Sequence, residues 1–355
     1  MKYRYLGRSG LLVSRICLGT MTFGNNEFGC DEETSVAIVN RFVEGGGNFI
    51  DTADMYSAGE SERILGAALK AHKRDALVIA SKCWFGIGPG LNERALSRKH
   101  IVEACENSLK RLGTDYIDLY QFHGPDPYTP MEESLRAADD LIRAGKVRYL
   151  GVSNFYAWQV SRANGIAALK GYEPFISGQY LYNLVRRDVE REILPASEAE
   201  GMGLICWSPL AAGMLTGKYR AQDKPDAASR LGVQANVTLP RYWFEDALKL
   251  VDLVVETAAR LGKTPSQVAL SWLFADRRVT AAIVGARRVE QIAENLESGD
   301  FDLPAEVHKA LTDALPLNLG YPYDWMEVTL PKTFGNAEFE PAHTQRLPHW
   351  SGQTS

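Results

Sequence analysis

Residues 45–56 have the sequence Gly45-Gly46-Gly47-Asn48-Phe49-Ile50-Asp51-Thr52-Ala53-Asp54-Met55-Tyr56. The glycines predict a break in regular structure, and residues 48–50 after them predict a short apolar strand. Asp51 falls where this strand should end, and Tyr56 falls in the loop before the next helix. A carboxylate and a phenol at a strand end suit a proton-transfer site. A second interpretation stays open here, in which Asp51 caps the turn and Tyr56 packs in the core.

The same pattern of apolar strand, loop and amphipathic helix recurs from Ser14 onward. Strands are predicted at residues 16–18, 48–50, 77–80, 117–121, 147–151, 176–179, 203–207 and 281–284. Strands that alternate with helices are parallel and joined by right-handed crossovers. Eight such units without a break in composition predict an α/β fold, a closed (β/α)8 barrel. A doubly wound open sheet is the alternative, which the lack of a strand-turn-helix unit with a G-x-G-x-x-G motif weakens.

Helices are predicted at residues 31–44, 60–71, 97–112, 130–144, 157–168, 189–200 and 266–274. Ser97 and Gly113 are typical N-cap and C-cap residues, and Thr264-Pro265 is a typical helix start. Residues 3–14, which precede the first barrel strand, predict an N-terminal β-hairpin.

Two stretches do not fit the repeat. Residues 211–245 are a long connection, which is typical of a functional lid or a disordered loop. Residues 316–355 form a tail rich in proline and aromatic residues, and its first half is expected to fold as a C-terminal extension over the barrel mouth. We therefore predict one domain at residues 1–330, including the hairpin, and a loosely held tail at 331–355.

Composition excludes several functional classes. The 355 residues carry a net charge of −5, which argues against a general nucleic-acid binder. No apolar run is long enough to span a bilayer, and the N-terminus lacks the apolar core of a signal peptide. The five cysteines are scattered and include no C-x-x-C pair, which is typical of free thiols in a reducing compartment. We expect a cytoplasmic protein with no membrane, nucleic-acid or metal partner.

Three polar residues lie at the ends of successive predicted strands. Asp51 ends the second strand, Lys82 ends the third and His123 ends the fourth, with Tyr56 in the loop after the first of these. Taken singly, a lysine at a strand end such as Lys82 is most often solvated, and His123 could simply be a histidine in a turn. Because the active site of such a barrel lies at the carboxyl ends of its strands, the four side chains are expected to converge.

The chemistry of this cluster predicts protonation of a developing alkoxide. A phenol is a weak acid at neutral pH, and a neighbouring ammonium group lowers its pKa. Asp51 can keep Lys82 charged, and a neutral His123 can orient a carbonyl oxygen by hydrogen bonding. Since these groups include no hydride donor, a nicotinamide cofactor is implied.

The order and spacing of longer motifs resemble the aldo-keto reductase superfamily, a family of TIM barrels. The matching stretches are residues 45–56, 59–62, 65–66, 81–82, 116–123 (YIDLYQFH), 145–148, 151–155 (GVSNF), 179–183, 207–210 (WSPL), 213, 215–219, 284–287 and 291–295. They cover roughly residues 1–315. The chain most resembles the bacterial branch related to potassium-channel β subunits and general stress reductases, which residues 96–100 also fit.

The resemblance implies a role for each matched residue. Tyr56 is expected to be the proton donor, tuned by Lys82 and Asp51, and His123 is expected to place the carbonyl. Residues expected at the nicotinamide are Ser153, Asn154, Gln179 and Trp207. Residues expected at the pyrophosphate are Ser208, Leu210 and Lys218. Residues expected at the adenosine end are Gly285, Arg287, Gln291, Glu294 and Asn295.

The resemblance also implies the cofactor and the substrate. Arg287 offers a positive charge to a 2′-phosphate, which favours NADPH/NADP+ over NADH; a solvated helix start is the alternative reading of this arginine. An aromatic substrate pocket is expected from Met21, Phe23, Trp84 and Phe85, with Tyr242, Trp243 and Trp325 as weaker candidates. Ordinary packing is the alternative for each. The expected partner is a small carbonyl compound, and a homo-oligomer is left open.

Two other functions compete with carbonyl reduction. A lyase or aldolase could use Lys82 as a Schiff-base nucleophile, but that lysine must be uncharged, whereas Asp51 should keep it charged. A nucleotide-sensing regulatory subunit without turnover is the second alternative. His123 favours an enzyme, because some members of the channel-related branch lack this histidine.

Overall fold

Eight parallel strands close into a barrel in the order β10-β3-β4-β5-β6-β7-β8-β9. The structure, a computed structural model, describes residues 1–219, 229–333 and 335. The barrel strands are β3 (Ile16–Gly19), β4 (Phe49–Asp51), β5 (Val78–Cys83), β6 (Ile117–Phe122), β7 (Val147–Ser153), β8 (Phe175–Leu181), β9 (Gly203–Trp207) and β10 (Val279–Gly285). Because β10 pairs with both β3 and β9, the sheet has no edge, and the open-sheet alternative is wrong.

All eight predicted strands are present, and several run further than their apolar residues indicate. Strand β5 continues through Ser81 and Lys82 to Cys83, and every residue in it is buried. Ser81 and Lys82 are polar, and the sequence therefore suggests that the strand ends before them. In the structure both residues are buried within β5. Lys82 is therefore held by a strand.

The predicted hairpin is also present, and it closes the amino-terminal end of the barrel. Strands β1 (Tyr3–Tyr5) and β2 (Leu12–Ser14) pair antiparallel, with Tyr3 opposite Ser14. Leu6 and Val13 have no exposed surface and pack against inward-facing barrel residues such as Phe49. The hairpin thus keeps water out of the amino-terminal end of the barrel.

Helices surround the barrel and bury their apolar faces on its outer surface. In chain order they are α1 (Glu32–Glu44), α2 (Glu60–Leu69), α3 (Arg98–Leu112), α4 (Met131–Arg143), α5 (Ala157–Lys170), α6 (Ile193–Ala199), α7 (Arg230–Val233), α8 (Ala235–Tyr242), α9 (Glu245–Leu261), α10 (Pro265–Ala275), α11 (Val289–Glu297), α12 (Ala305–Asp313) and α13 (Tyr323–Thr333). None of those in the described residues combines the length and apolar character that crossing a bilayer requires.

The predicted ends of α3 and the predicted start of α10 are confirmed, whereas the predicted helices 60–71, 157–168 and 189–200 are Glu60–Leu69, Ala157–Lys170 and Ile193–Ala199. The Ser97 side chain accepts a hydrogen bond from the His100 amide, and Gly113 ends α3 in the left-handed conformation. Thr264 and Gln267 form a capping box around α10, with Pro265 at the first helical position. These local signals fix where each helix starts and therefore how long each βα loop can be.

The connection at 211–245 is helical in its described part, which corrects the expectation of a loop. Residues 211–216 form two short turns joined at a kink, α7 and α8 follow, and α9 begins at Glu245. A proline inside α8, Pro240, and several glycines hide this helical content in the sequence. Residues 220–228 lie outside the described residues.

The described part of the C-terminal extension lies beside the loop after β8, at the mouth of the barrel. Arg187 donates to the carbonyl oxygens of Thr312 and Leu315, and the Tyr323 hydroxyl donates to the carbonyl oxygen of Arg191. Most of the predicted tail at 331–355 lies outside the described residues. The division into a domain at 1–330 and a tail stays a prediction.

Candidate active site

Four predicted side chains meet at the carboxyl ends of three adjacent strands. Asp51 is the last residue of β4, Lys82 is the last but one of β5, and His123 directly follows β6. Tyr56 opens the 3₁₀ helix Tyr56–Gly59 in the loop after β4. The parallel register pairs Asp51 with Ala80, which brings these strand ends to one level.

Lys82 is the centre of the cluster. Its ammonium group donates to Asp51 Oδ1 at 2.5 Å, to the Thr52 carbonyl oxygen at 2.9 Å and to Tyr56 Oη at 3.2 Å. Lys82 has no exposed surface, and Asp51 is 1% exposed. All three ammonium protons are therefore used, and the lysine is fixed relative to the phenol.

Two glutamines hold the other oxygen of Asp51. Gln121 Nε2 donates to Asp51 Oδ2 at 3.0 Å, and Gln179 Nε2 donates to the same oxygen at 2.8 Å. Gln179 Nε2 also donates to Gln121 Oε1 at 3.1 Å. The sequence reasoning missed Gln121, although an amide in the middle of an apolar strand was a usable signal. The carboxylate is thus hydrogen-bonded on both oxygens, as a buried charge requires.

The electrostatics of the cluster favour a charged lysine and a protonated tyrosine. Burial acts to lower the pKa of Lys82, but the neighbouring Asp51 and Tyr56 outweigh it and raise that pKa above its ordinary value. Burial raises the pKa of Tyr56, and Lys82 offsets only part of this rise. Lys82 does lower the pKa of Tyr56, as predicted, but the net shift of this pKa is upward. The phenol therefore keeps its proton at neutral pH.

His123 lies across a gap from Tyr56. The two ring centroids are 5.9 Å apart and nearly perpendicular, and the Phe85 ring lies 5.0 Å from the imidazole. Burial, assisted by the charge of Lys82, holds the pKa of His123 well below its ordinary value. A neutral imidazole at this place can donate a hydrogen bond to an oxygen that also faces Tyr56.

A second group of predicted residues adjoins this gap. Asn154 Nδ2 donates to the His123 carbonyl oxygen at 3.0 Å and to Ser153 Oγ at 2.9 Å, and Trp207 Nε1 donates to Asn154 Oδ1 at 3.2 Å. Asn154 has a left-handed backbone, with φ of 60°. The structure therefore brings Ser153, Asn154 and Trp207 together beside His123. The side chain of Gln179 is instead hydrogen-bonded to Asp51.

Comparison with known proteins agrees with this geometry. A sequence model of the Aldo/keto reductase family matches residues 15–316. The chain belongs to the aldo/keto reductase family. It is thus an oxidoreductase of a family that generally uses nicotinamide cofactors.

The relatives of this aldo/keto reductase include an uncharacterized oxidoreductase, YrpG, of Bacillus subtilis, which is 38% identical over 89% of this chain and 96% of that protein. A putative voltage-gated potassium channel subunit beta of Schizosaccharomyces pombe is 38% identical over 90% of this chain and 95% of its own length. A versiconal hemiacetal acetate reductase of Aspergillus parasiticus is 36% identical over 86% of this chain and 94% of its length. The resemblance to reductases and channel-related proteins is thereby confirmed.

The segment after β9 has the character of an anion site in this aldo/keto reductase. Ser208, Ala211 and Ala212 have left-handed backbones, an arrangement that costs about 1 kcal/mol or more per residue and clusters at functional sites. Leu210 adjoins them in the same turn. A Cβ on Gly213 would lie 3.2 Å from Lys218 Nζ, so the ammonium group lies directly over this bent backbone. The residues present fit a phosphate.

The segment after β10 fits the other end of a dinucleotide. The Arg287 amide donates to Gln291 Oε1 at 2.8 Å, and helix α11 begins at Val289 with no side chain capping it. Gly285 is open, since a Cβ there would meet nothing closer than 3.8 Å. On α11, Glu294 is half-buried and Asn295 is 5% exposed. A free helix N-terminus and an arginine suit a phosphate group.

The predicted pocket residues divide into two groups. Phe85 and Trp84 pack perpendicular to each other with centroids 4.5 Å apart, and Phe85 faces His123. Met21 is half-buried. Phe23, by contrast, has no exposed surface and belongs to the main core. Its assignment to the pocket wall stays a prediction.

The weaker candidates differ in how exposed they are. Tyr242 is 1% exposed, and Trp243 packs on Tyr219 with centroids 5.9 Å apart. Trp325 lies on α13 and is 55% exposed. The sequence reasoning missed two arginines in this region, Arg230 and Arg241, because an arginine in a presumed loop is usually solvated.

Proposed function

We propose that this chain reduces aldehydes or ketones to alcohols with NADPH, by hydride transfer from the nicotinamide and proton donation from Tyr56. The observation that carries the proposal is the buried chain of hydrogen bonds from Tyr56 through Lys82 to Asp51, with distances of 3.2 Å and 2.5 Å. Such a chain suits a phenol that gives up a proton and stabilises the phenolate that remains.

The roles of the residues follow from their protonation states. Tyr56, whose raised pKa keeps it protonated, donates its proton to the carbonyl oxygen as that oxygen gains charge. Lys82 stays positively charged beside the phenolate that forms, because the Asp51 carboxylate, itself fixed by Gln121 and Gln179, raises its pKa. His123, being neutral, donates a hydrogen bond to the same oxygen and fixes its position. When bound, NADPH supplies the hydride that the carbonyl carbon receives.

The cofactor is held, in this proposal, along three strand ends. Ser153 and Asn154 lie beside His123 and are proposed to contact the carboxamide, with Trp207 next to the ring. Ser208, Leu210 and Lys218 are proposed at the pyrophosphate. Gly285, Arg287, Gln291, Glu294 and Asn295 are proposed at the adenosine end. Arg287 is half-buried and lies just before α11, whose N-terminus has no side-chain cap. Its positive charge there supports a preference for the 2′-phosphate of NADPH over NADH.

Carbonyl reduction is favoured over the alternatives by the state of Lys82. A Schiff-base lyase needs an uncharged lysine, whereas Asp51 raises the pKa of this one. Three relatives carry the name potassium channel subunit beta, which supports a nucleotide-sensing role as the second candidate. The complete set of Asp51, Tyr56, Lys82 and His123 favours turnover.

The test is a cofactor titration followed by a substrate panel. We expect tighter binding of NADPH than of NADH and loss of nicotinamide absorbance with aldehydes and ketones. Tyr56→Phe removes only the hydroxyl group, so it should retain cofactor affinity and lose turnover by about 100-fold or more. Cofactor binding without turnover on any carbonyl would support the sensing role. No cofactor binding at all would reject the proposal.

A further inference from the structure

Glu62 is a buried carboxylate that the proposed mechanism does not use. It lies in the first turn of α2 and has no exposed surface. Its Oε1 accepts a hydrogen bond from Ser81 Oγ at 2.5 Å, and its Oε2 accepts one from Arg111 Nε at 2.7 Å. Because Ser81 belongs to β5 and Arg111 to α3, the carboxylate joins three elements. Bonded on both oxygens, it can hold these elements in register.

The partner of Glu62 on β5 is the residue just before the lysine of the site. Successive side chains of a strand point to opposite faces of the sheet. Ala80 packs with the inward-facing residues of the barrel, so Lys82 also points inward and Ser81 points outward, towards α2. The bond from Ser81 to Glu62 thus fixes the backbone of β5 where it carries Lys82.

The turn that carries Tyr56 leads directly into α2. Ser57, Ala58 and Gly59 follow with φ of 49°, 54° and 93°, and a left-handed backbone is costly for the first two, which have side chains. Such a conformation persists where the surrounding structure fixes it. Arg111 supplies one contact of this kind. A Cβ on Gly59 would lie 2.8 Å from Arg111 Cδ, so the paired arginine also lies against the turn.

Two serines hold the same turn from another side. Ser57 Oγ donates to the Phe23 carbonyl oxygen at 3.0 Å, and Ser61 Oγ donates to the Thr20 carbonyl oxygen at 2.8 Å. Both bonds reach the segment after β3, whereas Glu62 reaches β5. The distance from the phenol to the lysine therefore depends on Glu62.

We propose that Glu62 is a positioning residue for the hydrogen bond between Tyr56 and Lys82. The inference rests on the proposed carbonyl reduction, in which this phenol gives up its proton. At 3.2 Å the bond is at the upper end of the normal range, so a small shift of β5 against α2 is enough to break it. Burial raises the pKa of Tyr56 and Lys82 offsets part of this rise, so loss of the bond leaves a weaker acid.

Ser81→Ala tests the inference by removing one hydroxyl group that lies outside the cluster. We expect kcat for an aldehyde to fall by about 10-fold, with KM and the dissociation constant of NADPH unchanged. Because Tyr56 then keeps its proton to a higher pH, the alkaline decline of reduction should move upward by about 0.5 pH unit. Ser81→Thr keeps the hydroxyl and should restore both values. Glu62→Gln, which cannot form the ion pair with Arg111, should change both in the same direction as Ser81→Ala.

Ser14→Ala is the matched control at the opposite end of the barrel. Ser14 has no exposed surface, and its Oγ donates to the Ile16 carbonyl oxygen at 2.7 Å. This variant loses a buried serine hydroxyl too, so it should lower stability to a similar extent. It should change neither kcat nor the pH profile.

A spectroscopic measurement tests the same inference without cofactor or turnover. The chain has 15 tyrosines, and labelling each Cζ with 13C gives signals among which the one absent from Tyr56→Phe belongs to Tyr56. Its chemical shift reports the hydrogen bond at the hydroxyl group. We expect this signal to move in Ser81→Ala and Glu62→Gln, and to stay in place in Ser81→Thr and Ser14→Ala. A circular dichroism spectrum confirms that each variant is folded, and Ser81→Ala decides the matter if Glu62→Gln is not.

The outcomes separate this inference from the proposed function. If the protein reduces carbonyls and Ser81→Ala leaves kcat, the pH profile and the Tyr56 signal unchanged, the positioning role is rejected and the reductase stands. No turnover of any carbonyl would contradict the reductase, and a displaced Tyr56 signal would still support the positioning role. Activity that falls only as stability does, as in Ser14→Ala, with an unmoved pH profile, would overturn the inference and leave Glu62 a structural residue.

Discussion

Asp54→Asn is expected to stabilise the protein at neutral and alkaline pH. Asp54 has no exposed surface, and neither carboxylate oxygen has a hydrogen-bond partner among the described residues. Burial, with the negative charge of Glu62 nearby, raises the pKa of Asp54 to about 7. Arg111, the Met55 amide and Lys82 act in the opposite direction without cancelling the rise.

The size of the effect follows from linkage. An unfolded Asp54 titrates near the ordinary pKa of 3.8, so the rise to about 7 spans about 3 pH units, or about 4 kcal/mol. Because the folded pKa is the higher one, the folded state binds more protons between these values. Stability is therefore lost as the pH rises from about 4 to 7, and the full penalty remains above pH 7. Asparagine has a similar shape and cannot ionise.

Urea unfolding of both proteins at several pH values measures this penalty. The stability gain of Asp54→Asn should be about 1.5 kcal/mol at pH 5, grow towards pH 7 and level off near about 4 kcal/mol by pH 8. Asp75→Asn is the control, since Asp75 is 64% exposed and should give no such pH dependence. A gain that is the same at pH 5 and pH 8, or a loss at pH 8, would refute the reasoning.

Three further predictions use other parts of the structure. Lys82→Met leaves a buried carboxylate without its counter-charge and should lower the free energy of unfolding by about 3–5 kcal/mol in urea titrations; an unchanged midpoint would contradict this. Arg287→Met should weaken NADPH binding by about 10-fold or more and leave NADH binding unchanged in calorimetric titrations; equal losses would argue against a 2′-phosphate contact. Gly7→Ala should cost about 1–3 kcal/mol in thermal unfolding, because its Cβ would lie 2.5 Å from the Gly201 carbonyl oxygen at φ of +60°, whereas Gly10→Ala, with open space around it, is the silent control.

Much of the fold could be predicted because its signals are local. Each barrel strand carries a run of apolar residues, and the helix ends carry residues such as Ser97 and Thr264 whose side chains cap the adjacent turn. The four side chains of the proposed catalytic cluster could be found for a related reason. In a parallel barrel all strand carboxyl ends lie on one face, so a polar residue that ends a strand is already placed.

The sequence by itself determined the eight-stranded barrel, its hairpin and the convergence of Asp51, Lys82 and His123. Only the tertiary structure decided which groups complete the cluster. Gln179 reaches Asp51 across 128 positions of sequence, and Trp207 reaches Asn154 across 53. Such contacts have no local signal, because closure of the barrel brings distant side chains together. The same closure removes water, and that loss of water raises the pKa of Tyr56 and lowers that of His123, whereas the neighbouring Asp51 and Tyr56 raise the pKa of Lys82.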